Sequence, residues 1–438
     1  MQADKTTLND LSIFNHDEEQ SVFHHLDFTT TVGGRDFFRK MLSSPLDDLN
    51  KIHETQQLLS LLIKKQQNWP LIITNGTVMV IERYFDSPIN EVPRDSSKVS
   101  ALVYRFINSS DYSLTKYSVR HFGDFARGLQ ALINMCKGEE VPPILHGLID
   151  RLAMLLNKPV IVNYLLQGSA TELSMVNILK VAYFLRRHYK NETFELINIF
   201  SRLDAYYGMA LACNKFNLVF PAFEKKSSPF VTAEGLFHLL LPTPVAYDLE
   251  LDHEQNFLFL TGANMAGKST FIKAVGVAVY LAHIGMGVPA KKFRLSLFDG
   301  LLSNIQVEDN ILKGESYFFN EVKRVKKTIE KINDGRNWLI LIDELFKGTN
   351  VQDAMKCSVT VIEGLRKLNN ALFILSTHLY EIGEGLKQYP SIKFSYFETH
   401  VNDGQLFFSY TLKDGISNDR LGYLILKREG VVDMLDKL

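Results

Sequence analysis

A chain of 438 residues that is 46% hydrophobic and 22% charged has an ordinary globular composition and the length of two or three domains. Its 48 Lys and Arg nearly balance 49 Asp and Glu, so there is no overall basic character, and net charge neither supports nor excludes nucleic acid, because a local basic patch would suffice. Cys136, Cys213 and Cys357 form no C-x-x-C pair and read as free thiols of a reducing cytoplasm, while MQADKTTLND lacks the basic start and apolar run of a signal peptide.

In chain order, residues 1–20 read as a short polar arm and residues 21–230 as a mainly helical domain. Residues 36–67 carry apolar positions at helical spacing, interrupted at Pro45. Residues 109–136 and 171–213 are long stretches low in Pro and Gly, suited to extended levers. Near residue 235 the character changes, and residues 231–438 read as an α/β domain. NFLFLTG (256–262), NWLILIDE (337–344) and ALFILSTH (371–378) are apolar runs ending at polar residues. Alternating with helical segments, they have the pattern of a parallel sheet, whose ligands sit at the carboxyl ends of strands. AVGVAVYLAHIGMGVPA (274–290) is too short to span a membrane; it reads as a buried helix ending near Gly285 or Gly287, with Pro289 as a stop.

The stretch TGANMAGKST fits G-x-x-x-x-G-K-[ST] over Gly262–Ser269. Glycines allow a tight turn whose backbone N–H groups face phosphate oxygens, and the following helix adds its dipole. Gly262, Asn264, Met265, Ala266, Gly267, Lys268, Ser269 and Thr270 are therefore the expected contacts of ATP. Lys268 would reach the β- and γ-phosphates, and Ser269 would ligate Mg²⁺. LILIDE delivers Asp343 to the same ion and Glu344 to the attacking water. His378 ends the third run and is expected to sense or stabilise the γ-phosphate. SYFFNEVKRVKKTIEKI (316–332) opens on Ser316, a good helix cap. Its basic face, Lys323, Arg324, Lys326, Lys327 and Lys331, reads most simply as solvated surface.

These elements, in this order, resemble the ATPase domain of the MutS family of DNA mismatch-repair proteins, within the ABC class of ATPases. TGANMAGKST is similar to TGPNMGGKST, with Ala263 and Ala266 in place of Pro and Gly. Ser316, Phe318 and Glu321 match S-x-F-x-x-E, DELFKGTNVQDA (343–354) matches D-E-x-x-x-G-T, and STH (376–378) matches the switch histidine. Residues 413–431 resemble the closing segment, with Gly422 and Tyr423 in reversed order. LDFTTTVGGRDFFRKMLSSPL (26–46) and LDAYYGMALA (203–212) resemble the two ends of the family's helical core. In GLFHLLLPTPVAYDLEL (235–251), Tyr247-Asp248 stands where the family has Asn-Asp.

The resemblance implies a P-loop ABC-type ATPase domain with a mixed or parallel sheet, preceded by an all-α core and lever domain. It implies ATP and Mg²⁺ as cofactors and a homodimer with composite nucleotide sites, Ser316 reaching the partner's nucleotide. DNA is the implied partner, a branched or structured duplex. No membrane is expected, and the expected location is cytoplasmic. With only about 20 residues before the core, no mismatch-reading or connector domain is expected. The alternative is an ATP-dependent dimerisation switch acting on proteins without touching DNA. A transporter ATPase fits poorly, because such subunits use an L-S-G-G-Q type of signature.

Overall fold

The computed structural model describes residues 1–94, 97–166, 173–226, 228–305, 317–402, 405–417, 426 and 430–435. It divides into two compact units, Met1–His25, Ser44–Ile52 and Phe216–Leu438 forming one, Leu26–Ser43 and His53–Lys215 the other.

The N-terminal residues are no polar arm. They form strand β1 (Gln2–Ala3) and helices α1 (Lys5–Asp10) and α2 (Val22–Leu26). Asp4 caps α1 by accepting the Thr7 N–H at 2.8 Å. The stretch looks polar in sequence because Thr7 and Asp10 are buried and satisfied within this unit. The Thr7 hydroxyl accepts the Ser303 N–H at 3.0 Å, and Asp10 accepts the Ser303 hydroxyl at 2.5 Å and the Ile305 N–H at 2.9 Å.

The helical unit contains α3 (Val32–Leu42), most of α4 (Leu49–Lys64), α5 (Asn75–Asp86), α6 (Lys98–Ile107), α7 (Ser109–Met135), α8 (Pro143–Leu156), α9 (Pro159–Leu166), α10 (Met175–His188) and α11 (Lys190–Lys215). The stretch expected as one lever over 171–213 is two helices. Tyr189 leaves the helical region between them (φ −139°, ψ 14°), and its buried hydroxyl donates to the Leu155 carbonyl at 2.6 Å. The helices also stop at Lys215, short of the expected boundary at 230. Asn217 turns the backbone left-handed (φ 50°), and Val219 then pairs with Val288, both within the first unit.

The two ends of the helical unit are locked at Asp204, which is fully buried. Its carboxylate accepts the N–H and hydroxyl of Thr30 (3.1 and 2.8 Å) and of Thr31 (2.8 and 2.6 Å). Thr31 in turn caps α3 through the Gly34 N–H at 3.0 Å. Asp27 holds Thr29 and pairs with Arg35 at 3.2 Å. A Cβ on Gly34 would lie 2.1 Å from the Asp204 carboxylate, so the glycine lets α3 approach α11 this closely.

The first unit carries two sheets built from β2 (Ala222–Phe223), β3 (Val231–Leu236), β4 (Tyr247–Leu251), β5 (Phe257–Thr261), β6 (Lys292–Leu295), β7 (Gly300–Asn304), β8 (Trp338–Asp343), β9 (Ala371–Ser376), β10 (Ile392–Asn402) and β11 (Gln405–Asp414). The larger has the order β1-β7-β8-β9-β5-β10-β11 and is parallel except for β11; the smaller has the order β2-β6-β3-β4. The sheet is therefore mixed. Strands β5, β8 and β9 read as unbroken apolar runs because parallel strands are covered on both faces. Phe257, Trp338, Ile340, Phe373 and Leu375 share one core with Ile332 of α13 (Tyr317–Ile332) and Ile362 of α14 (Val351–Leu365). Helix α12 (Lys268–Ile284) follows β5 and ends at Gly285 in the left-handed conformation (φ 82°), as the sequence suggests. A short α15 (Glu381–Leu386) follows β9.

Replacing Asp204 by Ala leaves the buried donors of Thr31, and the part-buried donors of Thr30, without this acceptor. The expected loss is at least about 3 kcal/mol, because each orphaned buried group costs roughly 1–3 kcal/mol. Gly34→Ala is expected to cost about 1–3 kcal/mol by overpacking. Urea unfolding followed by far-ultraviolet circular dichroism checks both, and unchanged midpoints would refute the lock.

Candidate nucleotide site

The site lies at the carboxyl ends of β5, β8 and β9. The loop after β5 turns on left-handed residues, Gly262 (φ 139°), Met265 (φ 66°) and Gly267 (φ 111°). Only glycine enters the first of these without strain, and a Cβ on Gly262 would sit 3.2 Å from the Phe397 carbonyl oxygen. Gly267 then opens α12, whose first N–H groups have no partner inside the helix.

Lys268 is buried at 6% exposure. Its ammonium donates to the carbonyls of Gly262 at 2.8 Å and Ala263 at 2.9 Å, folding it back onto its own loop. Burial pushes its pKa down to about 8, against the pull of Glu344 and Asp343. The Ser269 hydroxyl donates to Asp343 Oδ2 at 2.5 Å. The other Asp343 oxygen accepts the Ser376 hydroxyl, which is level with it because β8 and β9 pair Asp343 with Ser376.

Glu344 follows β8 with φ 63°, and Phe346 has φ 61°. Such backbones cost non-glycine residues on the order of 1–3 kcal/mol each. Two anchors hold them. The Glu344 N–H donates to the Ser376 carbonyl at 2.9 Å, and the Glu321 carboxylate of α13 accepts the N–H groups of Lys347 (3.1 Å) and Gly348 (3.2 Å). Glu321 is itself buried, and Phe346 packs its ring against Phe318 at 5.8 Å.

The Glu344 carboxylate meets His378 Nε2 at 2.9 Å and Lys347 Nζ at 3.1 Å. Burial pushes this carboxyl up. The His378 hydrogen bond and the charges of His378 and Lys347 outweigh it and hold the pKa at about 2. His378 Nε2 also lies 3.4 Å from Lys268 Nζ. One ring nitrogen carries one proton or one lone pair, so the shorter contact decides: Nε2–H donates to Glu344, and Lys268 is a neighbour and no donor to it.

A cavity of about 450 Å³ is lined by Asn264, Met265, Gly267, Lys268, Ser269, Thr270, Glu344 and His378. The remaining wall is Leu241, Thr243, Val245, Tyr247 and Tyr410. Of the expected contacts, Gly262 serves through its carbonyl and Ala266 is buried in the turn. Ser316 lies outside the described residues, as do Gly422 and Tyr423 of the closing segment. The sequence reading missed Lys347, Ser376 and Tyr410 as parts of the site. It marked Tyr247 only as a departure from Asn-Asp. Tyr247 lines the wall, whereas Asp248 turns away to accept the Gly235 N–H at 2.7 Å.

Three left-handed loop residues, a buried lysine and a serine–aspartate pair thus stand together at the ends of parallel strands. Residues 258–434 match MutS domain V. This part of the chain is similar to a MutS domain V. That domain is an ABC-type P-loop ATPase domain. Among similar proteins, the DNA mismatch repair protein MutS of Staphylococcus haemolyticus is 28% identical over 258 residues, 57% of this chain and 29% of that protein. Its counterpart from Pseudothermotoga lettingae is 30% identical over 230 residues, 52% of this chain and 28% of that protein. The chain thus spans less than a third of the length of the MutS relatives it matches. Among the described residues, no helix is long and apolar enough to cross a membrane.

The Glu344–His378 pair is a stabilising contact with a defined pH range. With the carboxyl held at about 2 against an ordinary 4.5, its contribution is complete above pH 4.5 and is lost as pH falls towards 2. His378→Ala removes the largest contribution opposing burial, so the Glu344 pKa is expected to rise. Carboxyl-carbon NMR titration reads this directly; an unmoved pKa would assign the whole effect to Lys347.

Proposed function

We propose that the chain is an ATPase that dimerises around ATP and couples that cycle to DNA. The observation that carries this reading is the convergence of Lys268, Ser269, Glu344 and His378 on one cavity, with Asp343 fixed behind Ser269. The glycine loop and the start of α12 would take the phosphates through backbone N–H groups, with Thr270 beside them. Lys268 would leave the carbonyls of Gly262 and Ala263 for the phosphate chain. Tyr247 and Tyr410 would offer ring faces to the base.

The donor set at Ser269 and Asp343 fits Mg²⁺. A hydroxyl and a carboxylate are hard oxygen donors, and they already stand 2.5 Å apart. One carboxylate suits an ion that takes its remaining ligands from phosphate and water. When bound, Mg²⁺ supplies charge neutralisation to the phosphates.

Glu344 would orient the attacking water. At a pKa of about 2 it is a weak base, so its work is positioning and polarisation for as long as His378 holds it. An imidazole that turned to a terminal phosphate would release the carboxylate and raise its basicity. His378 would thereby sense the phosphate and free the group that acts on water. The Glu321 grip on Lys347 and Gly348 keeps the strained loop in register for this exchange.

The coupling to DNA rests on the helical unit. The relatives bear the name of DNA mismatch repair proteins. The two stretches that resemble the ends of their helical core, 26–46 and 203–212, meet at Asp204. We take the helical unit to be that core and a branched or structured duplex to be its ligand. The second copy would complete each nucleotide site with Ser316.

Glu344→Gln is expected to lower hydrolysis by about 100-fold or more while leaving ATP bound, and to accumulate an ATP-bound dimer in size-exclusion light scattering. Unchanged turnover would remove Glu344 from its role. ATPase rates with homoduplex, mismatched and junction DNA at several salt concentrations test the partner. Stimulation by junctions above the others is expected; rates indifferent to all three would favour the protein switch.

Nucleotide affinity should also fall with pH. A bound phosphate chain needs Lys268 charged, and above about pH 8 the free protein has lost that proton. The dissociation constant is then expected to rise by up to about tenfold per pH unit, since binding must take up a proton. Lys268→Arg should flatten the dependence, because guanidinium stays charged. Titrations between pH 7 and 9.5 measure it, and a flat wild-type profile would contradict the buried-lysine account.

A further inference from the structure

Helix α6 turns its apolar side outward. Val99, Leu102, Val103, Phe106 and Ile107 fall at i, i+3, i+4, i+7 and i+8, the spacing that normally marks a core-facing stripe. The core takes the opposite side instead: Ala101 and Tyr104 are buried, and the Tyr104 hydroxyl donates to the Asn90 carbonyl at 3.2 Å. Phe106 is 88% exposed, and the other four lie between 49% and 73%. Five large side chains in this state make an apolar patch on the order of 500 Å², a size that marks a binding surface on a folded chain. The helix that carries them is capped: the Ser97 hydroxyl accepts the Ser100 N–H at 3.1 Å.

We propose that this stripe is the docking site of a partner protein that presents an amphipathic helix, apolar along one side and edged by Asp and Glu. Charge decides the chemistry of the partner. From Lys98 to Arg120 the exposed charged residues are Lys98, Arg105, Lys116 and Arg120, all cations, in a chain whose formal net charge is -1. Lys98 and Arg105 stand at i and i+7, so they share one edge of the stripe, one on either side of Leu102 along the axis. Arg105 touches the Met175 sulfur at 3.5 Å and lies over the Tyr112 ring at 5.7 Å, contacts that leave its charge unneutralised. The carboxylates nearest to them along the described chain are already engaged. Glu91 pairs with Arg187, and Asp111 accepts the N–H and the side-chain amide of Asn90, each at 2.9 Å.

An edge of cations beside an apolar stripe is how paired helices select one another: the apolar positions give affinity and the flanking charges set partner choice. A second copy of this chain is the poorer occupant, because antiparallel packing would set Lys98 opposite Arg105, like against like. A lipid surface is poorer too. A helix lying in a membrane keeps a polar side to water, and α6 packs that side into its own unit through Ala101 and Tyr104. A phosphate backbone would leave the five apolar side chains without a role. None of these residues lines the nucleotide cavity, so docking here needs no nucleotide.

The test uses the full chain without nucleotide and a fluorescent synthetic peptide of about 20 residues, long enough to form a helix, with Leu at the core positions of a heptad and Glu at the flanking ones. Fluorescence anisotropy is expected to show saturable binding, weakened about tenfold or more by Phe106→Ser. Lys98→Glu together with Arg105→Glu should weaken the Glu peptide similarly and create affinity for the same peptide with Lys in place of Glu. These variants change only exposed side chains, so far-ultraviolet circular dichroism and the ATPase rate should stay as in the wild type. Lack of saturable binding, binding indifferent to Phe106→Ser, or a charge reversal that fails to exchange the order of the two peptides would overturn the proposal. Three further arms read the other occupants. Phosphatidylserine–phosphatidylcholine vesicles that sediment the wild type and not Phe106→Ser would assign the stripe to a membrane. A nucleotide-free dimer in light scattering that Phe106→Ser dissolves would assign it to a second copy. A short duplex that displaces the Glu peptide would assign the cations to DNA. Each of these three results would overturn the protein partner.

Discussion

The parallel pairing of β5, β8 and β9 is the constraint on which the site depends. It sets Asp343 level with Ser376, and Leu260 level with Ser376 on the other side. Three strand ends then deliver a glycine-bearing loop, a carboxylate pair and a histidine to one place. Without that register the Ser269–Asp343 contact could not form, because the two residues come from different strand-to-helix connections. The apolar strands are thus both the core of the unit and the ruler that positions its chemistry.

A second layer of control lies in the segment after β8. Glu344 and Phe346 both occupy a backbone region unfavourable to residues with a Cβ. The strain persists because a buried carboxylate from α13 holds the following N–H groups and because Phe346 is buried against Phe318. Glu344 is in this way aimed by residues that never touch the cavity. The same geometry makes its ionisation a balance between burial and the His378 and Lys347 charges, so a small movement of either partner alters how the carboxylate behaves.

Much of this was legible in sequence where the chemistry is local. Gly262 through Thr270 form one continuous stretch, and Asp343, Glu344 and His378 each end an apolar run. Lys347, Ser376 and Tyr410 escaped because their roles arise from juxtaposition: a serine in a strand acquires meaning only when its neighbour in the sheet is known. The N-terminal residues misled for a different reason. Polarity usually signals solvent, but Thr7 and Asp10 are buried with their partners, 293 or more positions away along the chain. The expected boundary at 230 also failed, because one left-handed Asn217 ended the helices earlier than any change in composition. The polar helical-unit motif around Asp27, Thr31 and Gly34 was visible as a resemblance, but its physical content, a carboxylate clasp between α3 and α11, was not.

The pairing of β1 with β7, Gln2 opposite Gly300, sets an order of events during synthesis. The first strand emerges long before its partner, and everything between them must be made while it waits. The helical unit's last residue, Lys215, leaves the ribosome before β7 exists, so that unit can consolidate first. Closing so distant a contact is slow, since loop entropy is lost before the pairing stabilises the product. Until then the edge of β7 lacks its own neighbour, and an unpaired edge can accept a foreign strand. The two-residue β1 thus covers one edge of β7 far from the strand ends that form the cavity, so its detachment would bare that edge without touching any residue of the cavity.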